Sequence, residues 1–386
     1  MIPYGRQHIT QNDVDSVVKV LQSDFLTQGP MVPRFEEAVS VFVNAKYAVA
    51  MNSATSALHA ACVAIELSAE DWLWTSPNTF VASANCGLYC GAKIDFVDID
   101  LDTNNISIDA LTKKLEQAYV LGCLPKVLVA VHFAGQSCKM REIYALSKKY
   151  GFKVIEDASH AIGGKYLGNY IGECKYSDIT VFSFHPVKII TTGEGGMAVT
   201  NNEELAHRMR LLRGHGITRD KKYMKKENPE YWYYEQISLG YNYRMTDISA
   251  ALGLSQLKRV DEYVLKRNEL AQKYKLLLKA SNGISSQVID ADCYSSYHLF
   301  VVQLHSEKKN IRNNVLNFLI SKGIGAGVHY IPVHLQPYYV NLGFKKGSFV
   351  NAEKYYEKAI TLPLYPDLSI EQLSYISTSL CEVLEN

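Results

Sequence analysis

Apolar residues along this chain switch repeatedly between two spacings. Val14, Val17, Val18 and Leu21 recur at the three- and four-residue interval of a helix, behind a Thr10-Gln11-Asn12-Asp13 stretch that resembles a capping box. Pro33 is then expected to open a second helix carrying Phe35, Ala38, Val39 and Phe42. From there short β-type runs alternate with helical stretches, at residues 47–51, 72–75, 94–97, 127–131, 154–156, 180–184 and 197–200. This alternation predicts an α/β domain whose mainly parallel, seven-stranded sheet is covered by helices on both faces.

The pattern changes after a helix predicted over 247–257. A long charged helix over 260–279 leads into a block of mixed periodicity, with strands expected at 299–304 and 327–330 and helices at 310–322 and 370–384. A length of 386 residues exceeds what one core usually supports, so two domains are expected. The larger spans 1–257 and the smaller α/β domain 258–386, with the N-terminal segment expected to pack on the smaller one. Residues 221–230, rich in charge, are expected to form an exposed loop.

Composition narrows the classes of function. Forty basic and 39 acidic residues nearly balance, so no basic excess argues for nucleic acid. Met1-Ile2-Pro3-Tyr4-Gly5-Arg6 lacks the apolar core of a signal peptide, and no run approaches a membrane span, so a cytoplasmic protein without membrane partners is expected. The eight cysteines are dispersed; Cys86 and Cys90 lie one helical turn apart without partners that would complete a zinc site. No metal is expected.

Candidate chemistry gathers at predicted strand ends, where open parallel sheets bind ligands. After the first strand, Asn52-Ser53-Ala54-Thr55-Ser56-Ala57 runs small residues into a helix, whose unpaired N–H groups and dipole suit a phosphate or, more plainly, mark a Ser/Thr cap. After the fifth comes Asp157, within Glu156-Asp157-Ala158-Ser159-His160. After the sixth, Ser183-Phe184-His185-Pro186-Val187-Lys188 places a lysine in an apolar stretch flanked by Gly193, Gly195 and Gly196. Desolvation lowers a lysine pKa, and the neutral amine can form a Schiff base with a carbonyl; a solvated turn lysine is the alternative on that segment alone. Together the three strand ends supply a phosphate cradle, a carboxylate and an amine, the set that pyridoxal phosphate requires.

With these motifs, and with Leu26-Thr27-Gln28-Gly29, Pro77-Asn78-Thr79-Phe80, His215-Gly216 and Gly240-Tyr241-Asn242-Tyr243-Arg244-Met245, the chain resembles the pyridoxal-phosphate-dependent nucleotide-sugar aminotransferases of the aspartate-aminotransferase fold, fold type I. The match runs over nearly the whole chain. Within the family the resemblance points to amination of the 4-keto group of UDP-2-acetamido-2,6-dideoxy-β-L-arabino-hexos-4-ulose, toward pseudaminic acid; relatives acting on other UDP- or dTDP-4-keto sugars share the cofactor motifs.

The resemblance implies a role for each matching residue. Lys188 would hold the cofactor as a Schiff base and move the proton. Asp157 would keep the pyridine nitrogen protonated, and His160 would sit near the phenolic oxygen. Phe80 would stack on the ring, while Ala54, Thr55, Ser56 and Ser183 would bind the phosphate. Asn242 would reach the cofactor phosphate of a neighbouring subunit, which implies a homodimer with shared active sites. Tyr4, Thr27, His329 and Tyr330 match positions where relatives contact the nucleotide sugar, and L-glutamate is the donor usual in the family.

Overall fold

The computed structural model describes residues 1–279, 281, 283–305 and 310–385. Seven strands form the main sheet: β1 (Tyr47–Met51), β2 (Trp72–Thr75), β3 (Lys93–Phe96), β4 (Val127–Val131), β5 (Lys153–Asp157), β6 (Ile179–Ser183) and β7 (Gly196–Thr200). Their order is β1-β7-β6-β5-β4-β2-β3. The run from β3 to β6 is parallel, whereas β7 pairs antiparallel with both β6 and β1. Every residue of β4, β6 and β7 is buried, as expected when helices cover both faces. The seven strands expected in this sheet all form, within one residue at either end.

Because β1, β5 and β6 run in the same direction, their C-terminal ends open on one cavity. Successive strand residues face opposite sides, so the neighbouring acids of β5 part company. Glu156 turns to His132, 2.6 Å away, and accepts from Thr180 at 2.9 Å. Asp157, the last residue of the strand, is left for the cavity.

Two helices near the N-terminus are fixed by residues far away in sequence. Helix α1 (Gln11–Leu21) has the expected capping box, and Asp13 within it also accepts from Arg259 at 2.6 and 2.8 Å and from Gln256 at 2.8 Å. Helix α2 (Met31–Val43) begins two residues before Pro33, with the proline inside its first turn. Its start is set by Asp247, whose carboxylate accepts from the N–H groups of Gly29 and Met31 at 2.7 Å and Val32 at 3.3 Å. That cap lies more than 200 residues downstream, out of reach of local periodicity.

Beyond the helices over Asp247–Leu257 and Val260–Leu278, a second sheet joins Ile284–Ser286, Phe300–Leu304 and Ala359–Leu362, all antiparallel. The strand expected at 327–330 does not form. Gly327 makes a single bridge to Thr361, after which the backbone turns to other partners: Tyr355 donates to the carbonyl of His329 at 2.7 Å, and Val333 donates to that of Pro77 at 2.9 Å. The N-terminal segment joins this layer, with Ile2 hydrogen-bonded to Gly323 and Gly325 and the Tyr4 carbonyl accepting from Leu364. Residues 221–230 form turns that are largely exposed.

Asp13 offers a test of the long-range ties. Burial opposes its ionisation, but hydrogen bonds from Arg259 and Ser255 outweigh that and bring its pKa to about 2. A carboxylate whose pKa is lower in the folded chain contributes stability above its unfolded value, and loses it as pH falls toward 2. Asp13→Asn is expected to lower stability by about 2 kcal/mol at neutral pH, with the deficit shrinking in acid. Urea unfolding at neutral and acidic pH measures this, and equal midpoints for variant and parent at both would dismiss the tie.

Candidate active site

A cavity of about 750 Å³ opens where the ends of β1, β5 and β6 meet the segment around His329. Lys188 lies on its wall, half-buried by exposed area because it faces the cavity. Protein crowds it closely enough to lower its pKa to about 8: burial disfavours the ammonium form, and the charge of Asp157 only partly restores it. The lysine thus has an appreciable neutral fraction near physiological pH.

Asp157 is 6% exposed. Its carboxylate accepts from the Ser83 hydroxyl at 2.6 Å and from the Ser159 N–H at 3.1 Å, and it forms no ion pair among the described residues. Thr79 and Ser83 share a further bond of 2.7 Å, so a short hydroxyl chain fixes the acid in place. A buried, oriented carboxylate with no cationic partner suits a protonated ring nitrogen.

The cradle follows from the turn after β1. Ser53 caps helix α3 (Ala54–Ala64), accepting from the Ser56 N–H at 3.1 Å, which leaves the N–H groups of Ala54 and Thr55 without intrahelical acceptors. Gly196 of β7 backs directly onto this turn: a Cβ there would lie 2.5 Å from the Ala54 nitrogen. The close approach keeps the helix start against the sheet, with Ser183 on the cavity wall beside it. Amine, carboxylate and anion-binding helix end therefore line one cavity, an arrangement that fits pyridoxal phosphate.

His160 is buried, with Nδ1 accepting from the Ala134 N–H at 3.3 Å and Nε2 lying 3.0 Å from the Tyr330 hydroxyl. Burial and then the charge of Lys188 push its pKa well down, so the ring is neutral and its Nε2 proton faces Tyr330. His329 is held near a pKa of about 4 by burial and by Lys188, and its Nδ1 is 2.9 Å from the Thr361 hydroxyl. Tyr4 stacks obliquely on His329 with ring centres 5.5 Å apart. Phe80 lines the cavity and is 59% exposed, presenting a free face.

Three expected residues lie elsewhere. Ser56 sits behind the cradle, with its hydroxyl donating to Asn52 at 2.6 Å and its N–H committed to the cap. Thr27 is exposed and bridges to Thr246. Asn242 is exposed and does not line its own chain's cavity; its carbonyl accepts from the Asn52 side chain at 3.3 Å. Conversely, sequence reasoning missed Ser83 and His298. His298 lines the cavity, its ring centre 4.4 Å from that of His160, with Nδ1 buried and unpartnered. Ser83 stands in the Ala82-Ser83-Ala84-Asn85-Cys86 motif that the resemblance shares, but without a role assigned to it; His298 stands in no local pattern, and only the fold brings the two to the site.

The family model described as the DegT/DnrJ/EryC1/StrS aminotransferase family matches residues 7–381. The chain belongs to that family. It is an aminotransferase, of a family whose members use pyridoxal phosphate and act on sugars. It is 38% identical to a UDP-4-amino-4,6-dideoxy-N-acetyl-beta-L-altrosamine transaminase of Campylobacter jejuni, over 100% of this chain and 98% of that one. Among solved structures it is similar to Helicobacter pylori PseC, an aminotransferase involved in the biosynthesis of pseudoaminic acid, with a TM-score of 0.90, 33% identity, and coverage of 100% of this chain and 99% of that one. It is also similar to the PLP-form of Spr1654 from Streptococcus pneumoniae, with a TM-score of 0.90, 30% identity, and coverage of 100% and 98%. Family membership and the cavity agree on the same cofactor. Among the described residues no cluster suited to a metal ion occurs, and no helix is long and apolar enough to cross a membrane.

The lysine pKa can be read directly. In cofactor-free protein, the rate at which a small amine reagent modifies Lys188 is expected to rise with an apparent pKa of about 8. Asp157→Asn should move that midpoint lower, because the aspartate charge favours the ammonium form. Peptide mass mapping across pH measures both, and a midpoint at the ordinary lysine value would show that the site does not activate the amine.

Proposed function

We propose that this aminotransferase moves the amino group of L-glutamate to the C4 keto carbon of UDP-2-acetamido-2,6-dideoxy-β-L-arabino-hexos-4-ulose, with pyridoxal phosphate carried on Lys188. The observation that carries the chemistry is a lysine with a pKa of about 8 sharing a cavity with an oriented, unpaired carboxylate. The choice of sugar is supported by the activity for which the Campylobacter relative is named and by the pathway named for the Helicobacter structure.

When bound, the cofactor supplies an electron sink and a carrier for the amine. Lys188 would hold it covalently through its neutral amine; once freed, that amine would carry a proton from the donor's α-carbon to the cofactor's C4′, and in the return half from C4′ to C4 of the sugar. Asp157, fixed by Ser83 and Ser159, keeps a proton on the ring nitrogen and so sustains the sink. The N–H groups of Ala54 and Thr55, with Ser183, would bind the phosphate, and Phe80 would cover one face of the ring. Neutral His160 orients the Tyr330 hydroxyl, so Tyr330, His329 and Tyr4 form the wall that meets the substrate. A remote nucleotide gives binding energy that orients the ketone toward the amine.

The proposed working unit is a homodimer in which Asn242 reaches the cofactor phosphate of a second copy and Thr27 contacts the sugar nucleotide. Support comes from the exposed Asn242 side chain and from the uncovered apolar residues before it, Tyr231 at 97%, Trp232 at 59% and Leu239 at 75% exposure.

Purified protein is expected to show a visible cofactor band that bleaches with L-glutamate and returns with the 4-keto UDP-sugar. Bleaching without return would reject that sugar; no band after adding pyridoxal phosphate would reject the cofactor. Lys188→Ala should retain cofactor yet lose at least about a thousandfold in turnover. Mixing Lys188→Ala with Asn242→Ala subunits is expected to restore activity through hybrid dimers that contain one site with both residues intact. If subunits exchange, as followed by mass, and the mixture is no more active than its parents, the shared site is wrong.

A further inference from the structure

His298 differs from the two histidines beside it on the wall of the lysine cavity. His160 engages Ala134 and Tyr330 through its two ring nitrogens, and His329 engages Thr361. The ring of His298, only 5% exposed, makes no hydrogen bond among the described residues. Its Nδ1 is sealed in and unpartnered, which leaves Nε2 as the polar atom toward the cavity. Burial, then the charges of Lys188 and His160, push its pKa well down, so the ring is neutral and carries one proton. A sealed N–H without an acceptor is rarer than a sealed lone pair, so that proton belongs on Nε2, where it points at whatever fills the cavity.

Behind His298 lies a cation without an anion. Arg267, on the helix Val260–Leu278, is 1% exposed and has no carboxylate partner among the described residues. It donates to the carbonyls of Tyr297 and His298 at 3.3 Å and of Leu364 at 2.9 Å, and its Nε has no acceptor. Burial alone lowers its pKa to about 10, so the guanidinium stays charged near neutral pH. Buried charges are ordinarily paired, and carbonyl dipoles leave the net charge in place. Its field reaches His298, whose charged form it further disfavours. An N–H donor backed by positive charge calls for an anion in the cavity. The cradle at the start of helix α3 accounts for a phosphate on the opposite wall, and no arginine lines the cavity among the described residues.

We infer that His298 receives the α-carboxylate of the amino donor, donating to it from Nε2. In an amino acid that carboxylate sits on the carbon that gives up the amine, and His298 shares the wall of one cavity with the Lys188 amine. The preference for an anion follows from His298 and Arg267; the identity of the anion rests on the proposed transamination. A neutral donor backed by a remote charge suits a wall that must next face an uncharged ketone. A guanidinium exposed there would be left without its anion in that half of the reaction.

Calorimetric titration of the holoenzyme with 2-oxoglutarate, and titration of its visible band with L-glutamate, test this. His298→Phe keeps a ring and removes the donor; it should weaken both ligands by about tenfold or more while the limiting rate of bleaching stays within about threefold of the parent. His298→Gln, which keeps an N–H, should fall between the two, and circular dichroism reports that each variant is folded. Parent-like affinity for both ligands in folded His298→Phe would overturn the inference. So would a glutamine variant no better than phenylalanine, which would make packing rather than the N–H the cause, or loss of the visible band from His298→Phe in excess pyridoxal phosphate, which would make the histidine a support for the cofactor. A parent that binds 2-oxoglutarate through His298 but does not bleach with glutamate would leave the carboxylate site standing and reject the transamination reading.

Discussion

A lysine amine and a carboxylate that line one cavity without forming a direct ion pair set the terms for the site. Were Lys188 and Asp157 in contact, each would satisfy the other and neither would be free to act. Held apart, the lysine loses more to desolvation than it regains from the distant charge, so its amine is available near neutral pH. The aspartate is instead held in place by a serine hydroxyl and a backbone N–H. The rest of the cavity is consistent with this separation: the histidines around Lys188 are pushed toward their neutral forms, which adds no competing cation.

Much of this was legible in the sequence, and the parts that were not share a physical cause. The seven strands declared themselves because a sheet buried on both faces must be built from short apolar runs, and the chemistry lay at their ends. What failed was wherever a partner distant in sequence decides the local structure. Helix α2 starts at Met31 because Asp247 caps it, so Pro33 misled by two residues. The segment 327–330 reads as a strand, yet beyond Gly327 side chains take up its backbone groups, Tyr355 at the His329 carbonyl and Asn78 at the Tyr330 N–H. His298 carries no motif and Ser83 none that assigns it a role, and only the packing of helix and strand ends brings them to the site. Ser56, in contrast, belongs to the right motif, but its hydroxyl serves the cap behind the cradle.

Charge is distributed with similar economy. The chain is almost neutral as a whole, with a formal charge of +1, yet Arg267 stands buried and uncompensated behind one wall of the cavity. Net charge is an average and conceals such local fields. The groups that hold Arg267 are backbone carbonyls, which bring no opposite charge, so the same contacts that stabilise the fold leave that wall positive.

The N-terminal segment deserves a mechanical reading. Ile2 and Tyr4 are hydrogen-bonded to Gly323, Gly325 and Leu364, while Asp13, nine residues after Tyr4, is anchored to Arg259 and Gln256. The first residues therefore form a strap between the two sheet layers, with Tyr4 fastened to the same side of the cavity as His329. Any displacement of the C-terminal layer must carry Tyr4 along with it. His8, midway along the strap, is itself held 2.9 Å from the Tyr263 hydroxyl and accepts from the Gln256 side chain at 2.9 Å, so the wall that Tyr4 shares with His329 is tied at both ends of the segment.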